Sequence, residues 1–320
     1  MPATARPPRG DFALVTVTHN SAAHLGGLLA SAARHLPGVR TVVVDCASRD
    51  DTVAVARTFA DAVVVALGEN AGFGRANNRG LAEVSEPVAV LVNPDVELLD
   101  DSLRALAAQA ARHPDRLLAP LVLYPDGRRQ DTVHPAPASA ADLVRALIPG
   151  TALAAISAPA ARWLEPWRSG SPRAVGWAVG CAIAARTDTL RRLGPFDEAI
   201  FLYGEDMELG LRAAATGVQT WFWPAARVCH HRAHASAVAF GGEPFARLAA
   251  ARHDVVRARL GARRATVDDA LQVLTFGSRI ALKWALGRPA RRERAQLRAL
   301  GDVRRGDVRR GDARRGGARG

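Results

Sequence analysis

Residues 87–100, PVAVLVNPDVELLD, begin as an unbroken apolar run and stop at Asn93-Pro94-Asp95. A short run without polar alternation fits a strand buried on both faces. Proline has no amide hydrogen for a ladder and drives the preceding residue into extended backbone, so Asn93-Pro94 marks a strand end or a turn. Asp95 then stands at the strand's carboxyl edge, where open α/β sheets bind ligands. A turn aspartate bonding its own backbone accounts for the same local pattern. The choice depends on what other strands bring to that edge.

Upstream, FALVTVTH (12–19) reads as a buried strand, and Asn20-Ser21 caps an apolar-periodic helix to Leu36 that Pro37-Gly38 ends. VRTVVVDCA (39–47) is a second strand, Ser48 an N-cap for a helix through about Ala60, and AVVVAL (62–67) a third strand. GENAGFGRANNRG leads into a helix to about Glu83, and then the opening strand follows. Strands alternating with helices at this spacing predict right-handed βαβ units and a mostly parallel, nucleotide-binding sheet. The turn after the first strand, THNSAAHLGG, lacks G-x-G-x-x-G, and no G-x-x-x-x-G-K-[ST] occurs anywhere. Hydride transfer and P-loop chemistry thereby lose most of their support.

Downstream, residues 125–172 are rich in Pro, Ala and Ser and read as a flexible insertion with helical patches around 139–148. AVGWAVGCAIAART (174–187) reads as one strand, and the second part of FDEAIFLYGEDMELGLRAAATG (196–217) as a helix. TWFWPAARVCHHRAHAS (220–236) is extended and ends in histidines, and 244–286 is helical. The last twenty residues repeat every five, carry two valines as their largest apolar residues, and are expected to be disordered. The predicted organisation is a disordered start (1–10), an α/β domain (11–240), a helical extension (241–300) and a disordered arginine-rich tail (301–320).

At 320 residues and 48% apolar composition the chain suits a globular core with appendages. No stretch approaches the roughly 18 apolar residues of a membrane span, and MPATARPPRGD lacks a signal peptide's apolar segment, so a cytoplasmic location is expected. Cys46, Cys181 and Cys229 have no C-x-x-C spacing and are expected to be reduced and buried. The net charge is +12, but residues 288–320 hold twelve arginines against four acids and so carry +8 of it. An excess confined to an appendage without aromatics is not the basic patch of a nucleic-acid-binding fold, and no nucleic-acid partner is expected.

Acidic groups stand at separate strand ends: Asp45 ends the second strand, Asp95 follows the fourth, Glu205-Asp206 opens a late helix, and His230-His231 ends a late strand. Carboxylates and a histidine converging on one edge suit a divalent cation with a nucleotide diphosphate, leaving one carboxylate for acid-base work. The motifs VTVTHNS, VVVDCASRDDT, NAGFGRANNRG, LVNPDV, GCAIAARTDTLRRLGPFDEAIFLYGEDMELGLR and VCHHRAHAS occur in an order that resembles glycosyltransferase family 2, inverting enzymes of the GT-A fold, and within it bacterial rhamnosyltransferases. The likeness covers roughly residues 12 to 236.

The resemblance implies that Thr18 and Asn20 lie by the nucleotide and that Asp45 contacts the base. Asn70, Gly72, Phe73, Gly74 and Asn77 would form the loop and helix start facing it, where glycines permit close backbone approach. Asn93-Pro94-Asp95 takes the place of the family's D-x-D, with Asp95 on Mg²⁺ or Mn²⁺ and asparagine replacing the first aspartate. Glu205-Asp206 matches the family's E-D, Asp206 being the base. The helix dipole would lower its pKa, so an apolar pocket is needed, with FLY (201–203) as the candidate wall. The metal-side histidine is His230 counting from ARVC and His231 counting from Ser236; His230 is preferred. Trp177, Gly180 and Cys181, with His231, fall where the family shapes its acceptor and sugar pocket.

The function so implied is metal-dependent inverting transfer of a sugar from a nucleotide diphosphate donor, rhamnose from dTDP-rhamnose as first choice. The acceptor would be a hydroxyl of a glycan or polyprenyl-linked glycan in cell-envelope polysaccharide synthesis. A non-catalytic nucleotide-sugar or polysaccharide-binding protein on the same fold is the alternative. Residues 266–287 place Leu271, Leu274, Ile280 and Trp284 along a helix with Arg279 and Lys283. That helix either packs on the core or, with the tail, lies on an anionic cytoplasmic membrane surface.

Overall fold

The apolar runs of the first half become β1 (Phe12–Thr18), β2 (Thr41–Cys46), β3 (Ala62–Leu67) and β4 (Val88–Val92), paired in parallel in the order β3-β2-β1-β4. This computed structural model describes residues 10–148, 158–194, 196–231 and 244–305. The connecting helices are α1 (Ala22–His35), α2 (Thr52–Arg57) and α3 (Phe73–Glu83). Gly80 lets α3 lie on the sheet, because a Cβ there would come within 2.5 Å of Val15. All six β2 side chains are buried, four of them apolar, and so are all five apolar side chains of β4, which is why these strands read as nearly continuous runs.

The sheet continues past β4 as β10 (Ala182–Arg186), β6 (Arg116–Leu123), β11 (Gln219–His230) and β5 (Val96–Leu98), with β8 (Arg173–Val175) paired to β11. Strands β1, β2, β3, β4, β6 and β11 run one way; β5, β8 and β10 oppose them. Helices α4 (Ser102–Arg112), α7 (Thr187–Leu193) and α8 (Glu205–Ala215) flank this half. This is the mixed, mostly parallel α/β architecture expected of a GT-A domain.

Three local expectations change. Ser48 does not cap a helix: its hydroxyl and amide both turn back to Asp45, and α2 starts at Thr52, whose amide Asp50 accepts. The run 174–187 is three pieces, because Gly176 passes against the backbone of Pro135 and Ala136 and donates to the His134 carbonyl. Short strands β7 (Val133–His134) and β9 (Trp177–Ala178) pair there. The insertion is packed structure where it is described: α5 (Ala140–Leu147) is capped by Ser139, and Val133, Ala146 and, in α6 (Ala158–Leu164), Leu164 are buried.

The C-terminal helices α9 (Phe245–Leu260), α10 (Ala262–Ala285) and α11 (Arg291–Arg305) pack on one another. Val255, Val256 and Ala265 close over Met207 and Leu211 of α8, each such burial being worth about 1.5–3 kcal/mol. The arginine-rich tail, expected to be disordered from residue 301, begins as helix: α11 runs to Arg305 and buries Ala299 and Leu300. The repeats beyond it and residues 1–9 lie outside the described residues.

Candidate active site

The carboxyl ends of β1, β2, β4, β6 and β11 open on one edge, and β10, running the other way, starts there. At the end of β1, Thr18 donates to Asp45 across the β1–β2 pairing, 3.0 Å. Asp45 also receives the Ser48 amide and hydroxyl, so its buried carboxylate staples two strand ends and has Oδ2 left as its least used acceptor. Asn20, exposed with φ +52°, accepts the Arg49 amide through its side chain and donates its own amide to Ser48. These bonds join the loops after β1 and β2 into one rim.

The glycine-rich turn forms the next wall. Asn70 accepts the Gly72 amide at 3.2 Å, and Gly72 has φ +80° and ψ 166°, a conformation only glycine takes readily. Its Cβ would stand 2.5 Å from the Phe201 carbonyl, which instead receives the Phe73 amide at 3.1 Å. Gly74 lies against Phe196. Asn77 is brought to the turn but buried, its amide spent on the Phe73 carbonyl.

Asn93, Pro94 and Asp95 follow β4. The Asn93 amide donates to the Cys181 carbonyl at 3.0 Å, while its side-chain Oδ1 is buried without a hydrogen-bond partner. Asp95 Oδ1 stands 3.2 Å from His230 Nε2, both side chains largely buried. His231 turns away to Glu97 at 2.9 Å, on the exposed side. The structure therefore brings His230 to Asp95 and not His231.

Among the described residues no three His, Cys, Asp or Glu side chains gather to hold a metal. Two donors do fit a hard divalent cation: their 3.2 Å separation matches the ~3 Å between neighbouring donors around an octahedral ion with ligands at about 2.1 Å. The orphaned Asn93 Oδ1 is a further oxygen on the same loop. So few protein donors suit an ion completed by substrate phosphates and water.

Asp206, in the first turn of α8, receives the Gly180 amide at 3.1 Å and its neighbour Met207's amide at 2.7 Å. Burial raises its pKa, against the lowering by these amides. Glu205 is pushed up to about 8 by burial and by Asp206, and its Oε2 has no hydrogen-bond partner. The C-terminal extension closes over the start of α8: a Cβ at Gly204 would touch Val255 and Ala251 of α9. The extension is thus part of the site's wall. Gly180 lies within contact distance of both the Phe73 ring and Asp206, so the turn, β10 and α8 meet there.

Two of the residues expected to shape the pocket have side chains engaged in packing. The Cys181 side chain is buried in the core with the apolar residues of β4, and its carbonyl accepts the Asn93 amide. Trp177 packs its Cβ on Gly210 and stacks one face on His134, ring centroids 4.3 Å apart. Burial with Arg145 and Arg252 pushes His134 down to about 3, so a neutral ring covers that face. Reasoning from sequence missed Gln130, buried beside His230, because nothing in a polar turn announces a partner a hundred residues away.

The sequence profile described as Glycosyl transferase family 2 matches residues 13–158. The N-acetylglucosaminyl-diphospho-decaprenol L-rhamnosyltransferase of Mycobacterium tuberculosis is 31% identical over 258 residues, covering 74% of this chain and 80% of the relative. The chain belongs to glycosyltransferase family 2. Among solved structures, the mannosyltransferase PcManGT from Pyrobaculum calidifontis, in complex with GDP-Man and Mn²⁺, superposes with TM-score 0.58 at 14% identity, covering 94% of this chain and 86% of that one. S. aureus TarS 1-349 in complex with UDP-GlcNAc gives 0.53 at 16% identity, covering 92% and 80%. At these identities the likeness is one of fold, and it makes this family-2 chain a GT-A glycosyltransferase in architecture.

Proposed function

We propose that this chain transfers an L-rhamnosyl group from dTDP-rhamnose, with inversion, to a hydroxyl of a polyprenyl-diphosphate-linked glycan used in cell-envelope polysaccharide synthesis. The observation that carries this reading is the 31% identity to the decaprenol-linked rhamnosyltransferase over most of both chains. Asp206 takes the proton of the acceptor hydroxyl as that oxygen bonds the anomeric carbon and the bond to the diphosphate breaks. Its raised pKa suits a base working near neutral pH. Thr18, Asn20 and Asp45 face the nucleoside, and the Gly72 turn brings backbone close to the diphosphate. Asp95 and His230 would hold Mg²⁺ or Mn²⁺, which when bound would neutralise charge developing on the departing diphosphate. A non-catalytic sugar-binding protein has no use for a buried, proton-hungry Asp206, which favours the enzyme.

The acceptor's lipid gives a membrane contact a purpose. No helix among the described residues is long and apolar enough to cross a membrane. Trp284 is 77% exposed and Leu286 52% at the end of α10, with Leu147 exposed on α5 beside it, where Ser278 donates to the Ala146 carbonyl. Lys283 is paired with Glu293, so the cations offered to anionic lipid are the exposed Arg288, Arg291, Arg294 and Arg298. Diphosphate release measured over dTDP-, UDP- and GDP-sugars, with and without Mn²⁺ or Mg²⁺, tests the reaction; release from none of them in the presence of a lipid-linked glycan acceptor refutes it. Salt-sensitive sedimentation with anionic vesicles, reduced in Trp284→Ser/Leu286→Ser, tests the surface; equal partitioning of both proteins refutes it.

A further inference from the structure

We infer that Gln130 is the positioning residue that fixes the tautomer of His230, holding its proton on Nδ1 and leaving Nε2 bare toward Asp95. This rests on the reading that Asp95 and His230 hold a divalent cation.

Gln130 lies on the return arm of a hairpin that leaves β6 at Leu123 and turns at Gly127, φ +80°. Its own amide donates to Val122 at 2.8 Å, and the side chain, 1% exposed, is directed under the end of β11. There Nε2 donates to two carbonyls, Leu123 at 3.1 Å and His230 at 2.7 Å. An amide nitrogen has two hydrogens, and both are used. Carbonyl oxygens only accept, so reversing the amide would set Oε1 against two acceptors in a buried site; the orientation is fixed by its partners. Oε1 is therefore the atom that meets His230 Nδ1, at 3.1 Å.

An acceptor at that position requires the Nδ1–H form of the ring. In neutral His230 the lone pair is then on Nε2, 3.2 Å from Asp95 Oδ1. A bare nitrogen and a carboxylate oxygen offering lone pairs to one point make a place for a cation. A histidine that coordinates a metal through one nitrogen characteristically donates its other N–H to an oxygen that sets ring and tautomer. Here that oxygen comes from a glutamine whose other two bonds are to the backbone, one of them to His230 itself. Gln130 touches neither substrate nor cation.

The test uses the full chain labelled with ¹⁵N-histidine, with two substitutions. Gln130→Met removes the acceptor at similar volume; Gln130→Glu keeps an acceptor oxygen but loses the donors to Leu123 and His230. Two-bond ¹H–¹⁵N spectra at about pH 8, where an ordinary histidine is neutral, report the tautomer. Electron paramagnetic resonance of free Mn²⁺ in the presence of dTDP reports cation affinity, and thermal unfolding reports the fold. Expected are an Nδ1–H signature for His230 in the parent and in Gln130→Glu, its loss in Gln130→Met, and Mn²⁺ affinity lower by roughly 10- to 100-fold in Gln130→Met, the usual effect of removing such a partner. An Nε2–H spectrum in the parent overturns the assignment, a measurement that does not depend on any variant folding. So does a folded Gln130→Met with unchanged tautomer and Mn²⁺ affinity. Absence of Mn²⁺ binding by the parent with dTDP overturns the cation reading and with it the purpose given to Gln130.

Discussion

Replacing Asp206 with Asn separates the chemistry from the scaffold. The carboxylate receives two amides, Gly180 at 3.1 Å and Met207 at 2.7 Å, one on each oxygen. Asparagine has one acceptor oxygen, so one of the two amides faces an NH₂ and loses its partner, at a cost of about 1–3 kcal/mol in a buried site. Removing a buried negative charge beside Glu205 offsets part of this, since each group raises the cost of ionising the other. The variant is therefore expected to fold with a modest change in melting temperature. On the rate, loss of a positioned base amounts to roughly 100- to 10,000-fold, about 2.7–5.4 kcal/mol of barrier. Donor affinity should stay within a few-fold, because a base acting on the acceptor hydroxyl contributes to the transition state and not to ground-state binding of the nucleotide. The assay is diphosphate release with saturating donor and acceptor, alongside calorimetry of dTDP binding and thermal unfolding. Turnover within about tenfold of the parent in a folded variant would remove Asp206 from the role of base.

Asp95→Ala should weaken donor binding and leave the remaining turnover insensitive to Mg²⁺ and Mn²⁺; calorimetry with and without cation checks this, and retained metal dependence refutes it. Gly72→Ala sets a Cβ 2.5 Å from the Phe201 carbonyl at φ +80°, so the turn must move. The backbone strain alone is about 1–3 kcal/mol, and an ångström of displacement can cost about 100-fold in kcat/KM; a melting curve and a kcat/KM measurement check both. Glu205→Gln tests the buried pair through pH. The Glu205 pKa rises on folding from 4.5 to about 8. The folded state therefore keeps a proton that the unfolded state releases: stability from this group is full below 4.5 and is lost as pH rises to about 8. The slope reaches at most about 1.4 kcal/mol per pH unit. Urea unfolding of the variant between pH 5 and about 8 should show a flatter profile and a gain near neutral pH; an unchanged slope would show that Glu205 ionises normally.

The first half of the sheet was legible because β1, β2 and β4, parallel strands covered on both faces, leave nearly unbroken apolar runs, and edge strand β3 is apolar as well; all four fall within a residue or two of those runs. Where the sequence misled, a partner distant in the chain decided the outcome. Ser48 reads as a cap from its neighbours, yet Asp45 and Thr18 close a polar knot that claims it. Gly176 interrupts a plausible strand because another backbone segment passes where its side chain would be. The insertion's Pro, Ala and Ser content suggested flexibility, but Ala141, Ala146 and Leu164 find burial as α5 settles on α10. Small residues give a weak periodic signal and still pack well when a helix approaches closely.

The choice between His230 and His231 shows the limit most plainly. Adjacent residues of a strand face opposite ways, so one of them must face Asp95 and the other must not. Counting along the chain could not settle the parity, because β11 shifts register against β6 between Trp223 and Arg227. Pairing with β5 settles it: His230 lies opposite Val96, next to Asp95, while His231 reaches Glu97. The same parity turns the Nδ1 edge of His230 inward to Gln130, so one register choice fixes both the carboxylate in front of the ring and the amide behind it. A slip of one residue in β11 would turn the His230 ring to the opposite face, away from both Asp95 and Gln130. Deleting a residue between Trp223 and Arg227, which moves that register without touching any site residue, should therefore lower Mn²⁺ affinity as far as His230→Ala does, with the fold monitored by circular dichroism. Unimpaired Mn²⁺ binding by the deletion variant would show that the bulge does not set the histidine's place.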